Sequence, residues 1–352
     1  MGKYGRKHVI SDNILDYNIG IIGESGIGKS TMLKNVYEKL CGDDGGYIAL
    51  DIGKEDGHKA INGIVTETFQ TFDGFLEFVN DVATNKQTDY PELKAVVIDT
   101  IDQLFEIAED YVVRKFTEES NAEKRENKEY TINSCHGGYG NGQGEVIRLV
   151  LDAIWKLKNV GVAFSYAGHT KKREQEDPVT GETYVSLTTN AAQRYFNAVK
   201  TKTDVLGIAS IDREIVKERT NKKNPTTGKD IYKGKVVSES RKITFRDDNY
   251  TIDSKSRFAY IVDEIPLDAD AFIKALHEAL LKERGMSTPE EQEVIQLIAD
   301  ITSNAKGLFA SGYSKDDFYS IVEAKCGTKL FNKVKDITKL KATLEAVKGL
   351  GN

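Results

Sequence analysis

Residues Gly23–Thr31 read G-E-S-G-I-G-K-S-T, a full match to G-x-x-x-x-G-K-[ST]. Each residue type suits one part of phosphate chemistry. Gly23 and Gly28 let the backbone turn its N–H groups toward phosphate oxygens. Lys29 brings a positive charge to the β- and γ-phosphates, and the Ser30 hydroxyl is a ligand for Mg²⁺. Glu24, Ser25, Gly26, Ile27 and Thr31 complete the phosphate-binding run.

Such a loop needs a carboxylate on the metal side, at the end of a neighbouring strand. Asp99 closes the apolar run A-V-V-I-D and is followed by Thr100, which places it there. Hydrolysis also needs a group that orients or deprotonates water near the γ-phosphate. Asp51, Glu55 and Asp102 are the candidates, with Glu55 the first choice. His169 is expected at the tip of the strand beside the loop, where a polar side chain senses the γ-phosphate.

Strands and helices must bring these groups together. Tyr17–Ile22 reads as a buried strand entering the glycine loop. Ser30–Leu40 reads as a helix leaving it, with Met32, Leu33, Val36, Tyr37 and Leu40 on one face. Tyr47–Asp51, Ala95–Asp99 and Val160–Ala167 are further apolar strands. A helix capped by Asp73 and another over Gly144–Lys158 separate them. Continuous apolar strands alternating with helices predict an α/β fold, a mostly parallel sheet between helices. From about residue 205 the texture becomes antiparallel, with strands at Val205–Ile211, Lys235–Val237, Lys242–Phe245 and Phe258–Val262 joined by turns at Asn224-Pro225 and Thr227-Gly228. Asp268 then caps a helix reaching Lys282. After Arg284-Gly285, capping boxes at Thr288–Glu291 and Ser314–Asp317 and a helix over Lys333–Val347 predict a small three-helix domain. The expected domains are 1–285 and 286–352. Thr117–Glu129 is highly charged and reads as a mobile loop or solvated helix end.

The bulk composition excludes several classes. A 352-residue chain with 39% hydrophobic and 30% charged residues is that of an ordinary globular protein. Its net charge of −6 argues against a uniformly basic nucleic-acid coat. No apolar run is long enough for a membrane span or a signal peptide. The three cysteines, Cys41, Cys135 and Cys326, form no disulfide pattern, and Cys135-His136 lacks the second pair a zinc site needs. The expected location is cytoplasmic, with no membrane partner.

One segment is locally basic. Arg213–Lys235 carries Arg213, Lys217, Arg219, Lys222, Lys223, Lys229, Lys233 and Lys235 against a few carboxylates. As a turn-linked hairpin it would lay cations along a nucleic-acid backbone. Thr201-Lys202-Thr203-Asp204 mimics a guanine-reading T-K-x-D, but Asp99-Thr100-Ile101-Asp102 lacks the D-x-x-G switch of a GTPase. No acceptor-site signature of a small-molecule kinase is present.

With these parts in this order, residues 10–280 resemble RecA-like P-loop ATPases. More narrowly, they resemble the phage-encoded AAA-type nucleotide-binding proteins that include single-strand annealing recombinases. The matching runs are G-E-S-G-I-G-K-S-T at 23–31, V-V-I-D-T at 96–100, G-G-Y-G-N-G-Q-G-E at 137–145, A-G-H-T-K-K at 167–172 and S-K-S-R at 254–257. The resemblance implies ATP and Mg²⁺ as cofactors, single-stranded DNA as a partner, a recombination or single-strand-binding protein as a second, and homo-oligomeric assembly. It implies DNA-contacting loops at Thr117–Gly142 and Lys171–Asn190, the second opening on Lys171, Lys172 and Arg173. It also implies that Lys255 and Arg257 reach the phosphates of a neighbouring subunit. In this alignment Gly53 stands where the family has a Glu, and a short insertion brings in Glu55.

Overall fold

The computed structural model describes residues 9–42, 45–54, 57–177, 180–223, 230–247 and 252–350, the side chains of 221–223 and 231 excepted. It divides into two compact units, Ser11–Ala279 and one holding Leu280 onward. The larger opens with β1 (Ile19–Gly23), α1 (Lys29–Cys41), β2 (Tyr47–Ile52), β3 (Thr66–Phe69), α2 (Phe72–Asn85), β4 (Ala95–Asp99), α3 (Ile101–Lys124) and α4 (Asn141–Asn159). It continues through β5 (Ala163–Glu176), β6 (Thr183–Thr189), α5 (Gln193–Lys202), β7 (Val205–Lys223), β8 (Asp230–Thr244), β9 (Lys255–Ser256), β10 (Glu264–Pro266) and into α6 (Ala269–Glu283).

The strands form one ten-stranded sheet in the order β10-β8-β7-β1-β5-β4-β2-β3, with β6 on β5 and β9 on β7 off that path. From β7 to β3 every neighbouring pair is parallel. The central strands β1 and β4 are buried along their whole length, as strands covered on both faces must be. Ile22, Ile98, Phe105, Val150, Phe196 and Leu206 belong to the main core. The fold is α/β and mostly parallel, with an antiparallel extension. Among the described residues no helix is long and apolar enough to cross a membrane.

Several boundaries differ from those the sequence predicts. Helix α2 is capped by the Thr71 hydroxyl, which accepts from Gly74 N; Asp73 lies inside the first turn and pairs with Arg114. Helix α3 carries Thr117–Lys124 as regular helix, ended by Arg125 in the left-handed region at φ 51°. β5 does not stop near His169. It leaves the parallel ladder after His169, opposite Gly23, and pairs antiparallel with β6 from Thr170 onward. The segments read as separate short strands at Lys235–Val237 and Lys242–Phe245 are one strand, β8, and β7 runs to Lys223. β7 is parallel to β1 over Val205–Ala209 before it turns into an antiparallel hairpin with β8. Phe258–Val262 is not a strand; Glu264–Pro266 pairs with β8 instead. The turn residues Asn224-Pro225 and Thr227-Gly228 lie outside the described residues. β3 and β6, polar and short, went unread.

In the second unit α7 (Pro289–Ala310), α8 (Lys315–Cys326) and α9 (Ile337–Lys348) pack around Leu297, Ile301, Phe318, Val322 and Leu340. Thr288 and Glu291 form the full capping box. Ser314 caps α8 by accepting from Asp317 N. The last helix starts later than expected, at Ile337, because Asp336 accepts from Lys339 N.

At Gly20, a Cβ would lie 2.3 Å from Cζ of Tyr166, at the phenol end of its ring. That ring is fully buried, and its hydroxyl shares a 2.9 Å hydrogen bond with Thr203 Oγ1. Gly20→Ala is expected to lower the unfolding free energy by about 1–3 kcal/mol through overpacking. The measurement is the urea midpoint at unchanged m; a variant as stable as wild type contradicts this packing.

Candidate functional site

The carboxyl ends of β1, β2, β4 and the parallel part of β5 meet along one edge of the sheet. The register aligns Gly23 with His169 and Asp51 with Asp99. The glycine loop occupies that edge and leads into the first turn of α1. Gly26 and Gly28 adopt φ of 75° and 108°, and a Cβ at Gly26 would meet nothing within 4 Å. Those two glycines give the loop its turn and leave its backbone open. Gly23 is small for another reason: a Cβ there would fall 2.8 Å from the Ala209 carbonyl oxygen on β7. Ile27 is buried and pins the loop, while Glu24, Ser25 and Gly26 face solvent, as does Thr31 in the first turn of α1.

Lys29 is 6% exposed. Its ammonium donates to the carbonyls of Gly23 at 3.1 Å and Glu24 at 3.0 Å, so it folds back across the loop. The Ser30 hydroxyl donates to Asp99 Oδ2. Ser30 and Asp99, read from sequence as the metal-side pair, are thus in direct contact. Two hard oxygen donors beside an open backbone cradle fit Mg²⁺ with a nucleotide phosphate.

The structure adds two groups that the sequence reading missed. His58, on a 3-10 turn (Gly57–Ala60) after β2, is buried against Asp99. Its Nε2 lies 3.0 Å from Asp99 Oδ2, and its Nδ1 lies 2.8 Å from Thr66 Oγ1 and 3.1 Å from Asp51 Oδ1. Arg241, on β8, donates from Nη1 to the Ile27 carbonyl at 3.0 Å and comes close to Gly28. No local pattern marks either residue; the contacts form across long sequence separations.

The three water-activating candidates have different fates. Asp51 is buried against His58. Asp102, in the first turn of α3, accepts from His169 N at 2.7 Å and lies 3.1 Å from His169 Nδ1. Its own Oδ1 is buried and, among the described residues, has no hydrogen-bond partner. Glu55 lies outside the described residues. At Gly53 the φ is 68°, and a Cβ would run into the Gln103 side chain, which accepts from Lys54 N at 3.1 Å. A carboxylate-bearing residue does not fit at position 53 without strain. His169 lines up with Gly23 across the β1–β5 ladder, but it sits within β5 and not at its end.

The remaining candidates are dispersed. Lys171 and Lys172 are exposed on the β5–β6 hairpin, a ladder where a loop was expected. Arg173 turns back to donate to the carbonyls of Thr189 and Ala191. Lys255 and Arg257 donate to carbonyls at the end of α5, Lys200 O at 2.6 Å and Thr201 O at 2.8 Å. Ser256 pairs with Val205, which faces Ile19, so they lie at the start of β1, away from Gly23. Asp204 of the T-K-x-D run lies at that same end and accepts from Asn18 N at 2.8 Å.

The β7–β8 hairpin runs beyond the sheet with most of its residues exposed. Arg213, Ile215, Lys217 and Arg219 share one face of β7 by alternation, and Tyr232 stands opposite Arg219. On the other face Asp212, Glu214 and Glu218 interleave with Lys233 and Lys235 of β8. Arg213 pairs with Glu239 at 3.2 Å, and Arg219 with Asp230 at 2.8 Å. Lys222, Lys223 and Lys229 have no described side chains.

Burial pushes the Asp99 carboxyl upward, but hydrogen bonds from His58 and Ser30 and the nearby charges of His58 and Lys29 together hold it below the ordinary carboxylate value. A folded-state value below the unfolded one means that folding favours the ionised form. That stability is present above about pH 4 and is lost as pH falls through the folded value. The difference in urea midpoint between wild type and Asp99→Asn is therefore expected to be largest at neutral pH and to shrink below about pH 4. An equal difference at pH 3 and pH 7 contradicts this.

A family model described as an AAA domain matches residues 15–258, which include the glycine loop, Asp99, the hairpin, Lys255 and Arg257. A search of the curated proteins finds no match.

Proposed function

Because the chain belongs to the AAA-domain family, we propose that it is a Mg²⁺-dependent ATPase of phage-type DNA recombination or repair, in which ATP tunes the binding of single-stranded DNA. The observation that supports the Mg²⁺-nucleotide part of this reading is the contact of Ser30 with Asp99 beside the buried Lys29, on an open glycine loop. Bound Mg²⁺ would neutralise charge developing on the β- and γ-phosphates. Ser30 would hold it, with Asp99 behind. Lys29, now on the Gly23 and Glu24 carbonyls, would turn to the phosphates. Loop N–H groups would orient them, and Arg241 would add a second cation from the same chain. Catalysis of this kind rests on positioning and charge, with little covalent work for the protein. Lys29→Ala is expected to reduce ATP turnover by about 10²-fold or more. Near-normal hydrolysis by that variant would sink the assignment.

The DNA arm of the proposal places the strand along the Arg213, Lys217 and Arg219 face of the hairpin. Its ion pairs are solvent-exposed and worth little each, so phosphates can replace them. Tyr232 offers one stacking surface. Replacing Arg213, Lys217 and Arg219 by Gln is expected to reduce the salt slope of single-strand binding by up to about 2. An unchanged slope excludes this face. A homo-oligomer is part of the same proposal: Lys255 and Arg257 sit a strand length from their own phosphate loop, so the site they would complete belongs to an adjoining copy. A recombination or single-strand-binding protein is the proposed further partner.

A second reading is a nucleotide-dependent interaction module that binds ATP and hydrolyses it poorly. It is favoured by Gly53, whose φ and Gln103 contact oppose a carboxylate, and by the engagement of Asp51 and Asp102 with histidines. Stimulation of turnover by single-stranded DNA selects the ATPase; tight ATP binding with negligible turnover, with or without DNA, selects the module.

A further inference from the structure

His58 is almost wholly enclosed, its side chain 2% exposed. One ring nitrogen faces a carboxylate of the metal-side pair and the other faces Asp51 and Thr66. An ionised carboxylate only accepts hydrogen bonds, so Nε2 carries a proton and donates a hydrogen bond to Asp99. Asp99 Oδ2 then receives two donors at once, Ser30 Oγ–H and His58 Nε2–H. Two donors on one oxygen fix both the rotamer and the tilt of the carboxyl plane. Thr66, at the start of β3, hydrogen-bonds the other ring nitrogen, and Asp51, at the end of β2, packs its Oδ1 against the same nitrogen at 3.1 Å. The chain Thr66/Asp51–His58–Asp99–Ser30 therefore runs from the edge of the sheet to the phosphate loop through groups that are each held by the next.

We propose that His58 is a positioning residue of the Mg²⁺ site: it holds the Asp99 carboxylate, and through it Ser30, in the geometry that receives the metal of a Mg²⁺-nucleotide. This rests on the reading of the glycine loop as a Mg²⁺-nucleotide site. Residues that orient metal-side groups from behind typically change metal affinity or activity by about 10–100-fold when removed. The described contacts of His58 reach the phosphate-loop residues through Asp99, so its loss is expected to change the metal requirement and leave the metal-free affinity alone.

The test titrates Mg²⁺, and separately Mn²⁺ followed by its paramagnetic signal, against the full chain mixed with a fluorescent ATP analogue. It compares wild type, His58→Ala and His58→Gln. For His58→Ala the metal concentration at half-saturation is expected to rise about 10–100-fold, with nucleotide affinity in excess chelator unchanged. His58→Gln keeps a donor amide and should recover part of that loss. Should His58→Ala fail to fold, Asp51→Asn and Thr66→Val each remove one support of the ring and should give smaller shifts in the same direction. An unchanged metal requirement in folded His58→Ala overturns the inference. So does an equal loss of affinity with and without metal, which marks a general packing role. If wild type binds the analogue with no metal dependence, or Lys29→Ala leaves binding intact, the underlying reading of the site falls as well.

Discussion

A buried carboxylate must be given donors or it will not stay charged, and the site is arranged around that requirement at Asp99. The group sits at the last position of a strand buried along its whole length. Leaving water disfavours its charge, and the cost is met by a hydroxyl from α1, an imidazole from the turn after β2 and the nearby Lys29 ammonium. The hydroxyl and the ammonium arrive from the first turn of α1, and the imidazole from the turn after β2. The order of β1, β5, β4 and β2, the start of α1 and the turn at Gly57–Ala60 must all be right for the charge to be tolerated. Lys29 is likewise buried, with its ammonium on the Gly23 and Glu24 carbonyls. Two opposite charges on one edge of the sheet, each supplied with hydrogen bonds, keep the loop in one shape.

The sequence carried the parts whose signal is local. β4 is legible in the sequence because an unbroken apolar run ends at one acidic residue. The glycine loop was legible because its residue types are dictated by backbone conformation and phosphate geometry. The contact of Ser30 with Asp99 followed from the need for a metal-side carboxylate. What could not be read was long-range. His58 lies 41 positions from Asp99 in a polar turn, and Arg241 lies 214 positions from Ile27. Neither has a spacing to betray it. The continuation of β5 past His169 was missed because Lys171–Glu176 is polar: a two-stranded ladder with solvent on its faces has no apolar alternation to report.

The same physics explains the hairpin. β7 begins as an apolar central strand and becomes a polar arm after Ile211, so one strand has two textures and was cut short in the reading. A register shift between Glu214 and Ile215 lets Val236 and Val237 share a place in the ladder, which adds local twist. Ile215, Val236 and Val237 remain half or more exposed on it. The root of the arm stays tied to the core, where Arg241 reaches the glycine loop from the strand that also forms the arm. Phosphate loop and arm are therefore joined by a single continuous strand.

Gly53 has a consequence for how this protein can change. A glutamate at that position would have to adopt a left-handed backbone, which costs a non-glycine residue about 1–2 kcal/mol, and would also have to displace Gln103 from its bond to Lys54. Both costs fall on the same position, so a substitution that carries a carboxylate into this turn is opposed by the backbone and by the packed Gln103 together.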